Sequence, residues 1–386
     1  MIPTSRKSLA RATVVAAALS FLAVARAAAQ DIPSRLADST FWRMVTEYSE
    51  AGGYFRSDNF VSNETSYQYV IPELQKTIQP GTAYLGVAPD QNFTYIIALK
   101  PKIAFLFDIR RQMVMQQLMY KALIELSADR VEFMSRLFSR PRPVGVDGNS
   151  SVDALMAAFS SAQPDSTYYR KNWSAIKDRL AKVHGFSLSD SAFSSIEYVY
   201  DAFYTAGPAI TYNFGQGGRG GGFAFNGGYG RNMPTYATLM VETDGTGLRR
   251  SYLASEANYR YLKEMETNNL IVPVVGDFAG AKAIRNVGQY LKAHNATVGA
   301  FYVSNVEQYL FQGEQWRRFY DNVATLPFDS SSQFIRSLSQ ANMGGFHQQS
   351  PNSRSLQLVC SIAELLKAFN EGKVTQYWDV ILMSHQ

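Results

Sequence analysis

Apolar positions first recur at helical spacing in FWRMVTEYSEAGG, where Phe41, Met44, Val45 and Tyr48 share one face. Ser39 is placed to cap that helix and Gly52-Gly53 to stop it. The polar stretch SDNFVSNETSYQYVIPELQ follows, with Ser62 or Asn63 as a further helix cap, and Pro80-Gly81 marks a turn. The unbroken apolar run from Ala83 to Val87 then predicts a strand, and Ala88-Pro89-Asp90-Gln91-Asn92 a turn. Phe93 to Leu99 predicts a helix that ends at Lys100-Pro101. Ile103 to Phe107 is a second continuous apolar run, the pattern of a strand buried on both faces. From Arg111 to about Phe138, Met115, Leu118, Met119, Ala122, Leu126 and Met134 keep helical spacing, predicting one long helix. Arg140-Pro141-Arg142-Pro143 stops it.

Residues 144–269 read differently. VDALMAAFSS, NWSAIKDRLAKVHG, DSAFSSIEYVYDAFYTAG and SYLASEANYRYLKEMETNN are all helical in period, with Ser189 and Asp190 fitting an N-cap. GQGGRGGGFAFNGGYGRN, residues 215–232, is glycine-rich and interleaved with Phe223, Phe225 and Tyr229. It reads as a surface loop, or as a mobile lid over a site. Alternation of strand and helix returns at Leu270: LIVPVVGDF predicts a strand, AGAKAIRNVGQYLKAHN a helix stopped by Asn295, and TVGAFYVSN a strand. SLQLVCSIAELLKAFNEG predicts a further helix and YWDVILMS a closing strand. The fold expected is α/β, doubly wound, with a mainly parallel sheet and a mostly helical insertion. Its parts would be an N-terminal helical segment at 30–80, a Rossmann-like core at 81–143 and 270–386, and the insertion at 144–269.

The N-terminus changes how charge is read. Arg6, Lys7 and Arg11 precede the apolar run Ala12 to Val24, and small residues follow at Ala25 to Ala29. This is the pattern of a signal peptide spanning about 1–29, and it predicts an exported, periplasmic or secreted protein. The chain's formal charge of +5 falls to +1 once Arg6, Lys7, Arg11 and Arg26 are removed. A nearly neutral remainder argues against nucleic-acid binding, which needs clustered cations. Beyond the leader no apolar run is long enough to span a bilayer, so stable membrane insertion is not expected. The single cysteine, Cys360, excludes an intrachain disulfide and reads as a small buried apolar residue.

Ligands in such sheets bind at the carboxyl ends of the strands, near the switch in strand order. Three strand ends carry polar groups. Gly86 opens the first, followed by Asp90, Gln91 and Asn92. Asp108, twenty-two positions after Gly86, ends the second and is spaced to accept hydrogen bonds from ribose hydroxyls. Asp277 follows the third, with Ser304 and Asn305 after the next strand. Arg110 and Arg111, with Arg136, Arg140 and Arg142, could gather positive charge for a phosphate or carboxylate, or pair with Glu125, Asp129 and Glu132 on a solvated helix face. His184 and His294 fall near helix ends, and His347 lies in a glycine loop. None of the histidines has metal-ligand spacing, so no metal is expected. There is no Gly-x-Ser-x-Gly elbow and no Walker loop.

Tyr84 to Asn92 and Asp108 resemble the glycine-containing loop and the following acid of the class I S-adenosylmethionine-dependent methyltransferase core. LGVAPDQNFTYI, FLFDIRRQM, SDNFVSNE, GDFAG and YVSNVEQYL also resemble an uncharacterised bacterial family that shares this core, over most of residues 40–340. The resemblance implies a methyltransferase-like Rossmann fold and makes S-adenosylmethionine a candidate cofactor. Ala88, Pro89 and Asp90 replace glycines of the methyltransferase loop, and no Asn-Pro-Pro-Tyr-type motif follows the fourth strand. The function expected is therefore binding of a small polar or nucleoside-like ligand by an exported protein of unassigned reaction. Glu64, Gly86, Asp90, Gln91, Asn92, Asp108, Arg110, Asp277, Ser304 and Asn305 would line its pocket. The alternatives are a non-catalytic envelope or interaction protein with a vestigial pocket, and a cytosolic methyltransferase if residues 1–29 are not a leader.

Overall fold

The computed structural model describes residues 31–214, 233–339 and 354–386. The expected leader at 1–29, the glycine-rich stretch at 215–232 and His347 lie outside the described residues. Six strands form one sheet: β1 (Ala83–Val87), β2 (Ile103–Asp108), β3 (Ile271–Val275), β4 (Val298–Ser304), β5 (Gln333–Ser339) and β6 (Ser355–Ser361). Their order is β3-β2-β1-β4-β5-β6. All neighbouring pairs are parallel except β5 and β6, which run antiparallel. This is an α/β fold with a mostly parallel sheet, compatible with a Rossmann-like arrangement. Every residue of β1, β2 and β3 is buried, because helices cover both faces, and this is why their sequences show no alternation.

The helix Gln91–Leu99 links β1 to β2, and Ala283–Ala293 links β3 to β4. Between β2 and β3 the chain runs through helices from Arg111 to Thr267. The predicted long helix after β2 is instead two, Arg111–Leu126 and Arg130–Leu137. The cause is local: the Ser127 hydroxyl donates back to the Leu123 carbonyl, and Asp129 accepts from the Glu132 N–H at 2.7 Å, capping a new helix. Ser39 lies inside the helix Asp38–Glu47, whose cap position is Ala37. Ser62 accepts from the Glu64 N–H in a turn rather than opening a helix. Ser189 does cap a helix, Asp190–Ala206, by accepting from the Ala192 N–H.

The C-terminal expectations were inverted. SLQLVCS is strand β6, and the helix begins only at Ile362, where Ser361 accepts from the Glu364 N–H. YWDVILMS holds the helix Tyr377–Leu382, opened by the Asp379 carboxylate on the N–H groups of Thr375 and Gln376. Cys360 is buried in β6. Both errors have one origin: a short apolar run looks the same in a buried strand and in a buried helix.

The segment before β1 closes over the strand ends. The helix Asp38–Glu47 packs on β3, and the Glu50 carboxylate accepts from the N–H groups of Asp277, Lys282 and Ala283 in the turn after β3. The Gly53 N–H donates to the Ile109 carbonyl, and the Phe60 N–H to Tyr212. Residues 54–64 are thereby held across the carboxyl ends of the central strands.

Candidate functional site

A cavity of about 380 Å³ lies at those strand ends, beneath residues 54–64. It sits where β1 and β4 are neighbours, the point at which strand order reverses. Its aromatic wall includes Phe55 and Tyr309, whose rings meet edge-on at 5.7 Å. Glu64, Gln91, Asp108, Arg110, Asp277, Ser304 and Asn305 supply its polar lining. Seven of the ten sequence candidates therefore converge. Tyr54, Phe55, Asn59 and Tyr212 also line it and were not anticipated, because nothing local marks residues that arrive by a long-range wrap.

Gly86, Asp90 and Asn92 do not line the cavity. A Cβ on Gly86 would fall 1.9 Å from the Asn92 Oδ1, so the glycine makes room for that side chain rather than for a ligand. The Asn92 amide reaches the carbonyls of Val87, Ala88 and Pro89 at 2.9, 3.0 and 2.7 Å, and its Oδ1 accepts from the Tyr84 hydroxyl at 2.7 Å. It staples the β1 turn from behind. Asp90 turns into the core, where its Oδ2 accepts from the Tyr252 hydroxyl at 3.3 Å and its Oδ1 has no partner among the described residues. Burial pushes its carboxyl up to about 7.

Asp108 and Arg110 form one unit. The Arg110 Nε and Nη2 donate to the two Asp108 oxygens at 2.9 and 2.7 Å, and the Arg110 backbone N–H adds a third contact at 2.8 Å. Its Nη1 donates to the carbonyls of Ser57 and Asp58. The pair is almost fully buried, so this fork ties the end of β2 to the overlying segment. Arg110 is the one cationic side chain among the described residues of the lining, and its donors are committed. The other arginines disperse. Arg136 pairs with Glu132, Arg142 with Asp129, and Arg140 donates to the Phe159 carbonyl. No phosphate-binding cluster forms among them. His184 is held between Asp38 at 2.8 Å and Glu125 at 2.7 Å, away from the cavity.

Glu64 is almost fully enclosed, only 5% exposed. The Ser304 hydroxyl donates to its Oε1, and the amides of Gln91 and Gln357 donate to its Oε2, each at 3.2 Å. Burial still raises its pKa above the usual carboxylate value, against the pull of those donors. Three lining residues that are not glycine hold left-handed backbone: Asn59 at φ +53° in the overlying segment, Ala88 at φ +64° after β1 and Ser304 at φ +51° ending β4. Such conformations cost about 1–3 kcal/mol each and gather at functional sites. Ala88 and Ser304 turn both strand ends over the same cavity.

A family model, described as a domain of unknown function (DUF7790), matches residues 59–196 and 227–377. The chain belongs to this family. All six described strands of the DUF7790 chain, and all ten sequence candidates, fall inside the matched segments. The chain has no match among proteins of curated function. Among the described residues of the DUF7790 domain and its flanks, no group of three or more His, Cys, Asp or Glu side chains is arranged to hold a metal. No described helix is long and apolar enough to cross a membrane.

Proposed function

We propose that this DUF7790 chain binds a small, unphosphorylated polar ligand of nucleoside-like character in the strand-end cavity. The observation that carries the reading is a set of buried polar groups converging on an open, aromatic-walled cavity at the switch point of the sheet. Phe93 and Tyr95, which could have plugged such a cleft, are fully buried elsewhere. Phe93 packs on Tyr120 and Tyr252, and Tyr95 donates to the Tyr67 carbonyl. That favours ligand binding over a vestigial pocket on an interaction protein.

Charge narrows the ligand. Glu64, Asp108 and Asp277 face one cation that is already committed, so a phosphate would find like charge and no counter-ion. Neutral or cationic ligands that donate hydrogen bonds suit this lining. S-adenosylmethionine is a poor fit as methyltransferases hold it: the Asp108 carboxylate is occupied by Arg110, and the space beside Gly86 is filled by Asn92. A methyltransferase-like reaction is accordingly the secondary reading. Export through residues 1–29 belongs to the same proposal, and N-terminal sequencing of the mature protein tests it.

Calorimetric titration of the purified chain with adenosine, AMP and S-adenosylmethionine tests the ligand class. Adenosine is expected to saturate one site, and AMP to bind at least about tenfold more weakly, from charge repulsion near a partly buried carboxylate. Absence of saturable heat with adenosine and other simple nucleosides overturns the nucleoside class. Tighter binding of AMP overturns the charge argument.

A further inference from the structure

We propose that Ser304 is a nucleophile activated by Glu64, and that the cavity carries out acyl transfer or hydrolysis on a small uncharged ester. This rests on the reading of the strand-end cavity as the ligand site and adds an activity to it.

Three independent features single out Ser304. It ends β4 in left-handed backbone, just before the helix Val306–Gln312. Its ladder is irregular there: Tyr302 pairs with Ile335 but Ser304 with Arg336, so one residue of β4 is skipped. A serine on a sharp, strained strand-to-helix turn is the geometry that lifts a hydroxyl out of a sheet toward substrate. The glycines usually flanking such a turn are absent, since Tyr302 and Val306 stand two residues to either side.

The second feature is the hydroxyl's partner. It donates to a carboxylate that is almost fully buried and fixed from its other side by Gln91 and Gln357. A nucleophile bonded to a base that is itself oriented by further groups is the general pattern of activated hydroxyls. The third is access: both residues line the cavity, and Ser304 is partly exposed while Glu64 is almost fully buried. Asn305 lines the same wall and brings an amide side chain of the type that stabilises a developing oxyanion. Burial, which raises the Glu64 pKa, narrows the gap across which the serine proton must pass.

The step balances without any further reagent. The Ser304 Oγ bonds to the ester carbonyl carbon as its proton passes to the Glu64 Oε1. The alkoxide leaving group departs with its bonding pair and takes that proton, leaving an acyl-serine. Water, deprotonated by Glu64, then releases the acid and regenerates the Oγ–H.

A fluorophosphonate probe tests this without knowledge of the natural substrate, because the serine displaces fluoride and keeps the phosphonyl group. The full chain is incubated with the probe and the adduct located by peptide mass mapping. A single adduct on Ser304 is expected, forming faster as pH rises to ionise Glu64. Ser304→Ala should abolish it, and Glu64→Gln should slow it at least about a hundredfold, the usual scale of a general base. No adduct after prolonged exposure, or an adduct confined to other residues, overturns the proposal. The mapping uses the unaltered protein, so a variant that fails to fold does not obscure the result. Adenosine titration of the same preparation separates the two readings. Binding without labelling leaves the ligand site standing and removes the nucleophile. Labelling without nucleoside binding keeps the nucleophile and discards the nucleoside class.

Discussion

Replacing Arg110 with methionine tests the organisation of the site most directly. The substitution removes the Nε and Nη2 donors to Asp108 and the Nη1 donor to the Ser57 and Asp58 carbonyls. The Asp108 side chain is then left 6% exposed with no counter-ion. Removing one member of a buried pair costs about 3–5 kcal/mol, chiefly because the surviving charge stays desolvated. The cavity beside Asp108 admits water, which places the expectation near the lower end, about 3 kcal/mol. Asp108→Ala should cost a similar amount, since it strands the guanidinium. The double variant Asp108→Leu with Arg110→Met removes both charges and should cost less than the sum of the two by about 2–3 kcal/mol. Urea unfolding, followed by far- and near-ultraviolet circular dichroism to test for coincident transitions, measures all three. An Arg110→Met protein within about 1 kcal/mol of the parent, a loss no larger than one ordinary hydrogen bond, would refute the clamp. The same arithmetic makes Asp108→Ala a poor probe of ligand binding, because lost affinity and lost stability would arrive together.

Other outcomes follow from particular contacts. Gly86→Ala drives a methyl into the Asn92 amide and should destabilise by about 1–3 kcal/mol, readable as a lower urea midpoint. Asp90 has a folded pKa of about 7 against an ordinary 3.8, so its favourable contribution is complete below 3.8 and is lost as pH rises through 7. Asp90→Asn should therefore flatten the fall in stability between those pH values, and an unchanged slope would contradict the assignment. Asp38 and Glu125, both lowered by contacts that include His184, act in the opposite sense. Their contribution is present above the ordinary carboxylate range and lost as pH falls through their folded values. His184→Ala should thus weaken acid sensitivity as measured by the urea midpoint at pH 3–5. Glu307 and Arg336 form a fully buried pair, joined by the Tyr320 hydroxyl at 2.7 Å. Glu307→Ala should cost about 3–5 kcal/mol in the same assay.

Much of the architecture was legible in the sequence because it is written locally. The runs at Ala83 to Val87, Ile103 to Phe107 and Val298 to Ser304 read as strands of a mainly parallel sheet and are strands in the fold, so the turns after them lie at one edge of it. That sufficed to bring Gln91, Asp108, Asp277, Ser304 and Asn305 to one cavity. Local reading failed where two structures share one pattern, as in SLQLVCS and YWDVILMS, and where side-chain direction matters. Asp90 and Asn92 belong to the correct turn but point into the protein, and no periodicity reports which side of a turn faces a ligand. Tertiary structure alone decided the rest. Glu64 meets Ser304 across 240 positions and Gln357 across 293, and Arg110 meets Ser57 across 53. These contacts determine which charges are spent and which hydroxyl has a base beside it. Their energies depend on burial and on partners brought from distant parts of the chain, and neither is encoded within any short window of sequence.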